Sequence, residues 1–305
     1  MAKPTRGAHA AEVFERNRSR LRGLAYRILG VVADTDDILQ EVYIRWHQSD
    51  VSEVRSPEAW MTRVTTRLCV DRLRSASRER ELYVGSWLPE PLCATEPTQP
   101  DCGWELGSNL SMALFVLLQR LAPEERAVFL LRDIFDYSYV DIAASLEKTQ
   151  AACRQLLHRA RERIRADRPR FQVNSEAHRR LVLRFIEATR AADRTALTAL
   201  FAKDATLTSD GGGKVRAAIN VIRGGDRIAR LLIGLARKAR GERIQKLMRI
   251  NGEFGVVTYL NGSCVAAFCL EVDAASIRSV YRVLNPEKLR NVPPLPKLGT
   301  PRGAL

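Results

Sequence analysis

The stretch Tyr137–Arg165, reading YSYVDIAASLEKTQAACRQLLHRARERIR, constrains the fold more than any other part of the chain. Its apolar residues Val140, Ile142, Ala143 and Leu146 suit a short helix, and Glu147-Lys148-Thr149 supplies a polar turn. A longer helix follows with two distinct faces. Ala152, Leu156, Ala160 and Ile164 recur at helical spacing and are expected to pack inward. Gln150, Arg154, His158, Arg161 and Arg165 fall three or four positions apart on one outward stripe. The pattern predicts a helix-turn-helix. Gln and Arg read base edges through paired hydrogen bonds, and further Arg suit phosphates. A solvated basic helix in a bundle would show the same stripe, so the pattern alone leaves both readings open.

The chain has 305 residues, room for two or three domains. Residues 10–84 are helical in pattern. Residues 85–107 read as a linker because of Pro89, Pro91, Pro97 and Pro100. Residues 108–168 are helical again. From 176 to 291 the periodicity changes. Two helical stretches, 176–191 and 194–201, precede runs expected as strands at Ala205–Ser209, Val215–Asn220, Lys246–Asn251, Gly255–Leu260, Cys264–Val272 and Ile277–Leu284, with a helix at Asp226–Ala239 between them. The expected fold class is multidomain: two all-α domains, then an α+β domain whose curved sheet wraps on helices. The net charge of +14 is uneven, with residues 172–305 carrying 23 Lys+Arg against 11 Asp+Glu. Such a surface suits nucleic acid or acidic partners, and solubility alone explains it equally well. Cysteines 69, 93, 102, 153, 264 and 269 show no paired metal-binding spacing, so no metal and no cofactor are expected. Cys69 and Cys153 read as core thiols, while Cys93 and Cys102 fall in the linker as candidates for oxidation. No apolar run is long enough to span a membrane and no signal peptide is visible, so the expected location is the cytoplasm.

Three features mark residues 10–84. In DTDDILQEVYIRW, Asp34, Asp37 and Glu41 share a helical face with Gln40 beside it, a surface that suits a basic protein; acids that merely favour a helix N-terminus give the same pattern. In SPEAWMTRVTTRLCVDRLRSASRER, Ser56 can cap a helix and Pro57 fits its first turn. Trp60, Val64, Leu68 and Leu73 are expected on its inner side, and Arg63, Arg67, Arg74 and Arg78 on its outer side with Asp71 among them. A basic stripe with aromatic anchoring suits melted DNA, and a solvated Arg face suits the pattern equally. The polar loop 49–56 carries no signal of its own.

Together these features resemble the extracytoplasmic-function (ECF) sigma factors of bacterial RNA polymerase over about residues 10–168. The D-x-x-D-I-L-Q-E stretch, Asp34 to Glu41, is similar to region 2.2. This implies that Asp34, Asp37, Gln40 and Glu41 contact core RNA polymerase at the β′ clamp helices, the β subunit being a further partner. Trp60 to Arg74 is similar to regions 2.3–2.4. This implies that Arg63, Arg67, Asp71 and Arg74 face the −10 element of promoter DNA, with loop 49–56 as a pocket for a flipped base. The helix-turn-helix is similar to region 4.2, implying −35 contacts from Gln150, Arg154, His158 and Arg161. Two positions depart from the family: Arg67 stands where Asn is frequent, and Glu147 where Gly is usual.

Three further motifs narrow the resemblance: Trp87-Leu88-Pro89-Glu90-Pro91, Asp210-Gly211-Gly212-Gly213-Lys214, and Asn285-Pro286-Glu287-Lys288-Leu289. They are similar to marks of SigJ-like ECF factors with a fused SnoaL-like domain of the nuclear transport factor 2 cone fold, which implies that the fused domain regulates the sigma part. Trp87, Pro89, Asp210, Gly211, Gly212, Gly213, Lys214, Asn285 and Pro286 are then candidates for joining domains. The three glycines suit a tight turn approached by other backbone, or a plain hairpin turn. Cones of this kind include enzymes. Asp204 and Asp210 are the candidate carboxylates here, but no nucleophile–base pair is visible, so no catalysis is expected. Two other readings stay open: a helix-turn-helix regulator with a ligand-sensing domain, and an isomerase or cyclase with an appended binding module. The residues name no small-molecule ligand for this domain.

Overall fold

The computed structural model describes residues 6–50, 54–94, 110–167 and 174–295. The chain forms two compact units, residues 1–83 with 99–170 and residues 84–98 with 171–305. The first is all-helical: α1 (Arg6–Leu29), α2 (Val32–Gln48), α3 (Pro57–Glu81), α4 (Met112–Leu118), α5 (Pro123–Phe129), α6 (Tyr139–Leu146) and α7 (Gln150–Asp167), with one wide helical turn at Leu130–Ile134 after α5. Leu21, Leu24, Ile28, Val42, Trp46 and Met61 are fully buried among α1–α3. The Trp46 indole donates to Ala10 O at 2.9 Å, so its one polar atom is satisfied inside the core.

α3 starts as expected: Ser56 Oγ accepts from Ala59 N at 3.3 Å and Pro57 occupies the first turn. Its inner face differs from the expectation. Leu73 is buried, but Trp60, Val64 and Leu68 are only half-buried, and the closed face runs through Met61, Thr62, Thr65, Thr66, Cys69, Val70 and Ala76. Threonine can lie there because its hydroxyl turns back onto the helix. Thr62 donates to Glu58 O and Thr66 to Thr62 O, each at 2.8 Å. In the helix-turn-helix, Ile142, Leu156, Ala160 and Ile164 are buried, whereas Val140 is 61% exposed. Val140 sits two residues before Ile142, roughly 200° around the helix, and cannot share its face.

The second unit is α+β. It contains β1 (Cys93–Ala94), α8 (Ser175–Arg190), α9 (Arg194–Ala199), β2 (Phe201–Asp210), β3 (Ile222–Arg223), α10 (Gly225–Lys238), β4 (Arg243–Ile250), β5 (Glu253–Leu260), β6 (Ser263–Val272) and β7 (Ile277–Val283). They form one sheet in the order β1-β4-β5-β6-β7-β2-β3, in which only β2 and β7 pair in parallel. One face, with Leu207, Val256, Phe268 and Val280, packs on Val182 and Phe185 of α8 and on Ile228 and Leu232 of α10. Val215–Asn220, expected as a strand, is not one. Gly212 and Gly213 take positive φ, Lys214 N returns to Gly211 O at 3.0 Å, and pairing resumes only at Ile222–Arg223. Asp204, between the helix expected at 194–201 and the strand expected at Ala205–Ser209, lies within β2, which begins at Phe201.

The segment read as a linker is not a simple tether. Cys93 and Ala94 pair with Ile250 and Arg249, and Leu92 exchanges hydrogen bonds with Asn251, so residues 84–94 are part of the second unit. Burial pushes the Cys93 thiol up to about 12, which removes the thiolate that oxidation needs. Cys102, Pro97 and Pro100 lie outside the described residues.

Burial, then the neighbouring Glu271, pushes the Glu253 carboxyl up to about 7. Its pKa is therefore higher folded than unfolded. Stability is undiminished below about pH 4.5, falls between about 4.5 and 7, and stays lower above. The expected loss is about 2–3 kcal/mol, allowing for partial exposure. Thermal melts of wild type and Glu253→Gln at pH 5 and pH 8 check this: the variant should lose most of the difference.

Candidate nucleic-acid interface

The α7 stripe is presented as the spacing requires. Thr149 Oγ1 accepts from Ala152 N at 3.1 Å and caps the helix, and Gln150, Arg154, His158 and Arg165 are exposed. Arg154 donates to Gln150 Oε1 at 3.3 Å, and its guanidinium lies 4.9 Å from the centroid of the Tyr139 ring. These contacts aim the two side chains together. His158 stands 3.5 Å from Glu162. Arg161 is held differently. It pairs in fork geometry with Asp133 at 2.6 and 3.0 Å, which raises its pKa further, so its guanidinium faces the turn after α5.

On α3, Arg63 and Arg67 are half-buried and Asp71 and Arg74 exposed. The side chain of Arg78 lies outside the described residues. Arg67 reaches the C-terminal end of α6. Nε donates to Ser145 O at 3.1 Å, Nη2 to Ala144 O at 2.9 Å, and Nη1 lies 2.9 Å from Glu147 Oε1. The two residues that depart from the family pattern are thus bonded to each other. Glu147 holds the left-handed position that ends α6, with φ 53°. Arg74 bridges Asp71 at 3.1 Å and Glu124 at 2.6 Å. Two of the three α3 arginines expected to face DNA, Arg67 and Arg74, are engaged with α6 and α5 of their own unit.

Several residues that hold this arrangement carried no sequence signal. Arg126 is 3% exposed; it donates to Ile28 O at 2.9 Å and to Gln119 at 3.2 Å, and burial, then Arg80, pushes it down to about 9. Arg80 donates to the same Gln119 oxygen at 2.5 Å. Arg20 bonds Tyr137 and, at 3.0 Å, Thr62. Each joins segments far apart in sequence, which spacing within one helix does not reveal.

On α2, Asp37 and Gln40 are exposed, Glu41 pairs with Arg45 at 2.7 Å, and Asp34 pairs with Arg72 at 3.1 Å. A groove of about 770 Å³ between α1 and α2 is lined by Gln40, Tyr43, Leu39, Phe14 and Arg18 among others. Residues 51–53 of the loop read as a base pocket lie outside the described residues.

In the second unit the three short motifs meet. Asp210 Oδ2 accepts from Leu88 N and Lys288 Nζ, both at 2.8 Å. Lys288 also donates to Leu88 O at 2.5 Å and lies 3.9 Å from the centroid of the Trp87 ring. Pro89 is buried, Asn291 donates to Glu90 at 2.7 Å, and Asn285 N donates to Asp210 O at 3.0 Å. Pro286 begins the turn closed by Leu289 N, and Lys214 pairs with Glu287. A Cβ on Gly211 would come within 2.5 Å of Val215 O, and Gly213 has φ +71° with Val84 against it. The second candidate carboxylate, Asp204, pairs with Arg278 at 2.8 Å.

The Sigma-70 region 2 family matches residues 13–79, and the Sigma-70 region 4 family matches residues 111–164. Those matches fall on α1–α3 and α4–α7 and define a sigma-type factor of RNA polymerase. Over 301 residues the chain is 34% identical to the ECF RNA polymerase sigma factor SigJ of Mycobacterium tuberculosis, covering 95% of this chain and 96% of that one. It is 28% identical over 276 residues to the probable ECF sigma factor SigI of the same species, covering 90% and 92%. The crystal structure of M. tuberculosis SigJ superposes with a TM-score of 0.76 at 31% identity, covering 93% of this chain and 99% of that one. The chain belongs to the ECF sigma factor family. It functions in promoter recognition for RNA polymerase and is not an enzyme; sigma factors bind core polymerase and promoter DNA. Its C-terminal part is an α+β domain, one sheet packed on helices α8 and α10. Among the described residues no helix is long and apolar enough to cross a membrane.

Proposed function

We propose that this sigma factor is restrained by its own fold and released by a change in its C-terminal domain. Arg67 carries the reading, since one guanidinium cannot cap α6 and face the −10 element at once. In the released form, Asp34, Asp37, Gln40 and Glu41 contact the β′ clamp helices of the polymerase. Arg63, Arg67, Asp71 and Arg74 face the −10 element, and Gln150, Arg154, His158 and Arg161 the −35 element, Arg161 after leaving Asp133. Modulation by the C-terminal domain is supported by the chain between α3 and α4. Residues 84–94 belong to the C-terminal unit, with Cys93 and Ala94 paired at the edge of its sheet, so the separation open to the two sigma halves depends on that anchorage. The reading places the protein in the cytoplasm with the polymerase.

Co-elution with bacterial core RNA polymerase tests the restraint. Residues 1–170 should form a stoichiometric complex more readily than the full chain. Equal complex formation by both would remove the regulatory part of the reading. Separately, Arg154→Ala should cost about 1–3 kcal/mol at one −35 base pair and relax preference there. Fluorescence anisotropy on matched and singly altered −35 duplexes measures it, and unchanged discrimination would reject the assignment.

A further inference from the structure

The helix-facing side of the C-terminal sheet carries polar side chains with nothing to bind. Arg243 and Gln245 alternate along β4 onto the face that holds Leu247, and Gln245 stands opposite Thr258 of β5. On β7, Arg282 stands opposite Phe268 of β6 and beside Ser209 of β2. Leu207, Val256 and Phe268 on this face belong to the core packed by α8 and α10. Ser209 and Thr258 are only 1% and 4% exposed. Ser209 Oγ, Thr258 Oγ1, both amide atoms of Gln245, and Arg282 Nε are buried without a hydrogen-bond partner. These are five of the eight such side-chain atoms among the described residues, gathered on one face of one sheet.

Two positive charges, Arg243 on β4 and Arg282 on β7, belong to this same face. In a flat sheet β4 and β7, three strands apart, would be separated by about 14 Å. Burial, then the field of Arg243, pushes Arg282 down to about 10. Burial lowers Arg243 as well. Among the described residues neither has a carboxylate within ion-pair distance, and Arg282 only overlies the Phe268 ring at 5.5 Å. Native interiors rarely leave polar groups in this condition, because each orphaned atom and each unmatched charge opposes folding. A ligand that supplies negative charge and acceptors to the arginines, and partners for the amide and hydroxyls, satisfies the whole set.

We propose that this face of the C-terminal domain binds a small organic anion. Its carboxylate or phosphate lies between Arg243 and Arg282, its polar groups meet Gln245, Thr258 and Ser209, and its apolar body lies against Phe268. The proposal does not rest on the regulatory reading, because binding is measured directly on the full chain.

The test uses three probes sharing one apolar body: 1-naphthoate, 1-naphthyl phosphate and neutral 1-naphthalenemethanol. Calorimetric titration and thermal melts should show binding of at least one anion, with Tm raised by about 3–5 °C at ten times Kd. The neutral probe should not raise it. A response to one anion alone assigns a carboxylate or a phosphate ester; a response to both supports the shared anion chemistry. Arg282→Gln and Arg243→Gln should each weaken binding about 10-fold or more. Should Arg282→Gln not fold, Thr258→Val keeps the site and should weaken binding several-fold. Without probe, Arg282→Met and Thr258→Val should hold or raise Tm, since they remove orphaned groups, whereas a purely structural role requires both to lower it. No shift with either anion at millimolar concentration, an equal shift with the neutral probe, or undiminished binding by both Gln variants would overturn the proposal.

Discussion

Lys288→Met is expected to destabilise the C-terminal unit by about 3–5 kcal/mol, the usual loss when one member of a buried ion pair is removed. The Lys288 and Asp210 side chains are 9% and 0% exposed at 2.8 Å separation. The variant leaves the Asp210 carboxylate buried without its cation, the Leu88 amide still donating to it, and it strips the Trp87 ring of its cation. The C-terminal melting transition should fall by about 8 °C or more. Amide exchange at Leu88 and Leu92 should accelerate more than exchange in the β5–β6 centre, because the motif segment loses its clamp first. Asp210→Asn combined with Lys288→Met should recover part of the loss, since no charge is then stranded. A Tm within about 2 °C of wild type in the single variant would show that the clamp contributes little.

The same cluster shows where sequence reading succeeds and where it stops. The chemistry of Asp210, Lys288 and Trp87 is visible as three short motifs, but their meeting is set by sheet topology: 78 positions separate the two members of the ion pair. Helices α7, α8 and α10 are legible because one buried face repeats at helical spacing over several turns. The strand expected at Val215–Asn220 does not form: the backbone turns at Gly211–Lys214, pairing with β2 begins only at Ile222–Arg223, and Ile219 is 65% exposed. The inner face of α3 is misread for a different reason. Large apolar residues look like core, yet Thr62 and Thr66 bury more completely once their hydroxyls bond backbone carbonyls. The unpartnered groups on the helix-facing side of the sheet are invisible in sequence, because orphaning depends on what fails to come near. On the candidate nucleic-acid surface, the exposure of Gln150, Arg154, His158 and Arg165 along α7 is legible from spacing, while the engagement of Arg67 and Arg161 by their own fold is not.

Arg67→Ala and Glu147→Gly should separate holding the sigma part closed from reading DNA. Arg67 is 38% and Glu147 73% exposed, so their ion pair is screened and contributes about 0–1 kcal/mol. The two bonds from Arg67 to the final carbonyls of α6 matter more. They are charge-assisted and complement the negative helix end, together about 2–3 kcal/mol. Arg67→Ala should therefore shift the closed–open equilibrium about 30- to 150-fold toward open, read as the distance distribution between fluorophores on α2 and α7. It should also lose −10 discrimination, because the same guanidinium then cannot reach a base. Glu147→Gly removes only the screened ion pair and relieves a left-handed φ of 53° that glycine adopts without strain. It should open the unit less, stabilise the turn by up to about 1 kcal/mol, and keep −10 preference intact. Promoter complexes formed with core polymerase should thus rise with Glu147→Gly, while Arg67→Ala forms complexes that no longer distinguish −10 sequences. If both variants kept the wild-type distance distribution, closure would be held by Arg126, Arg80 and Arg20, and Arg67 would only cap α6.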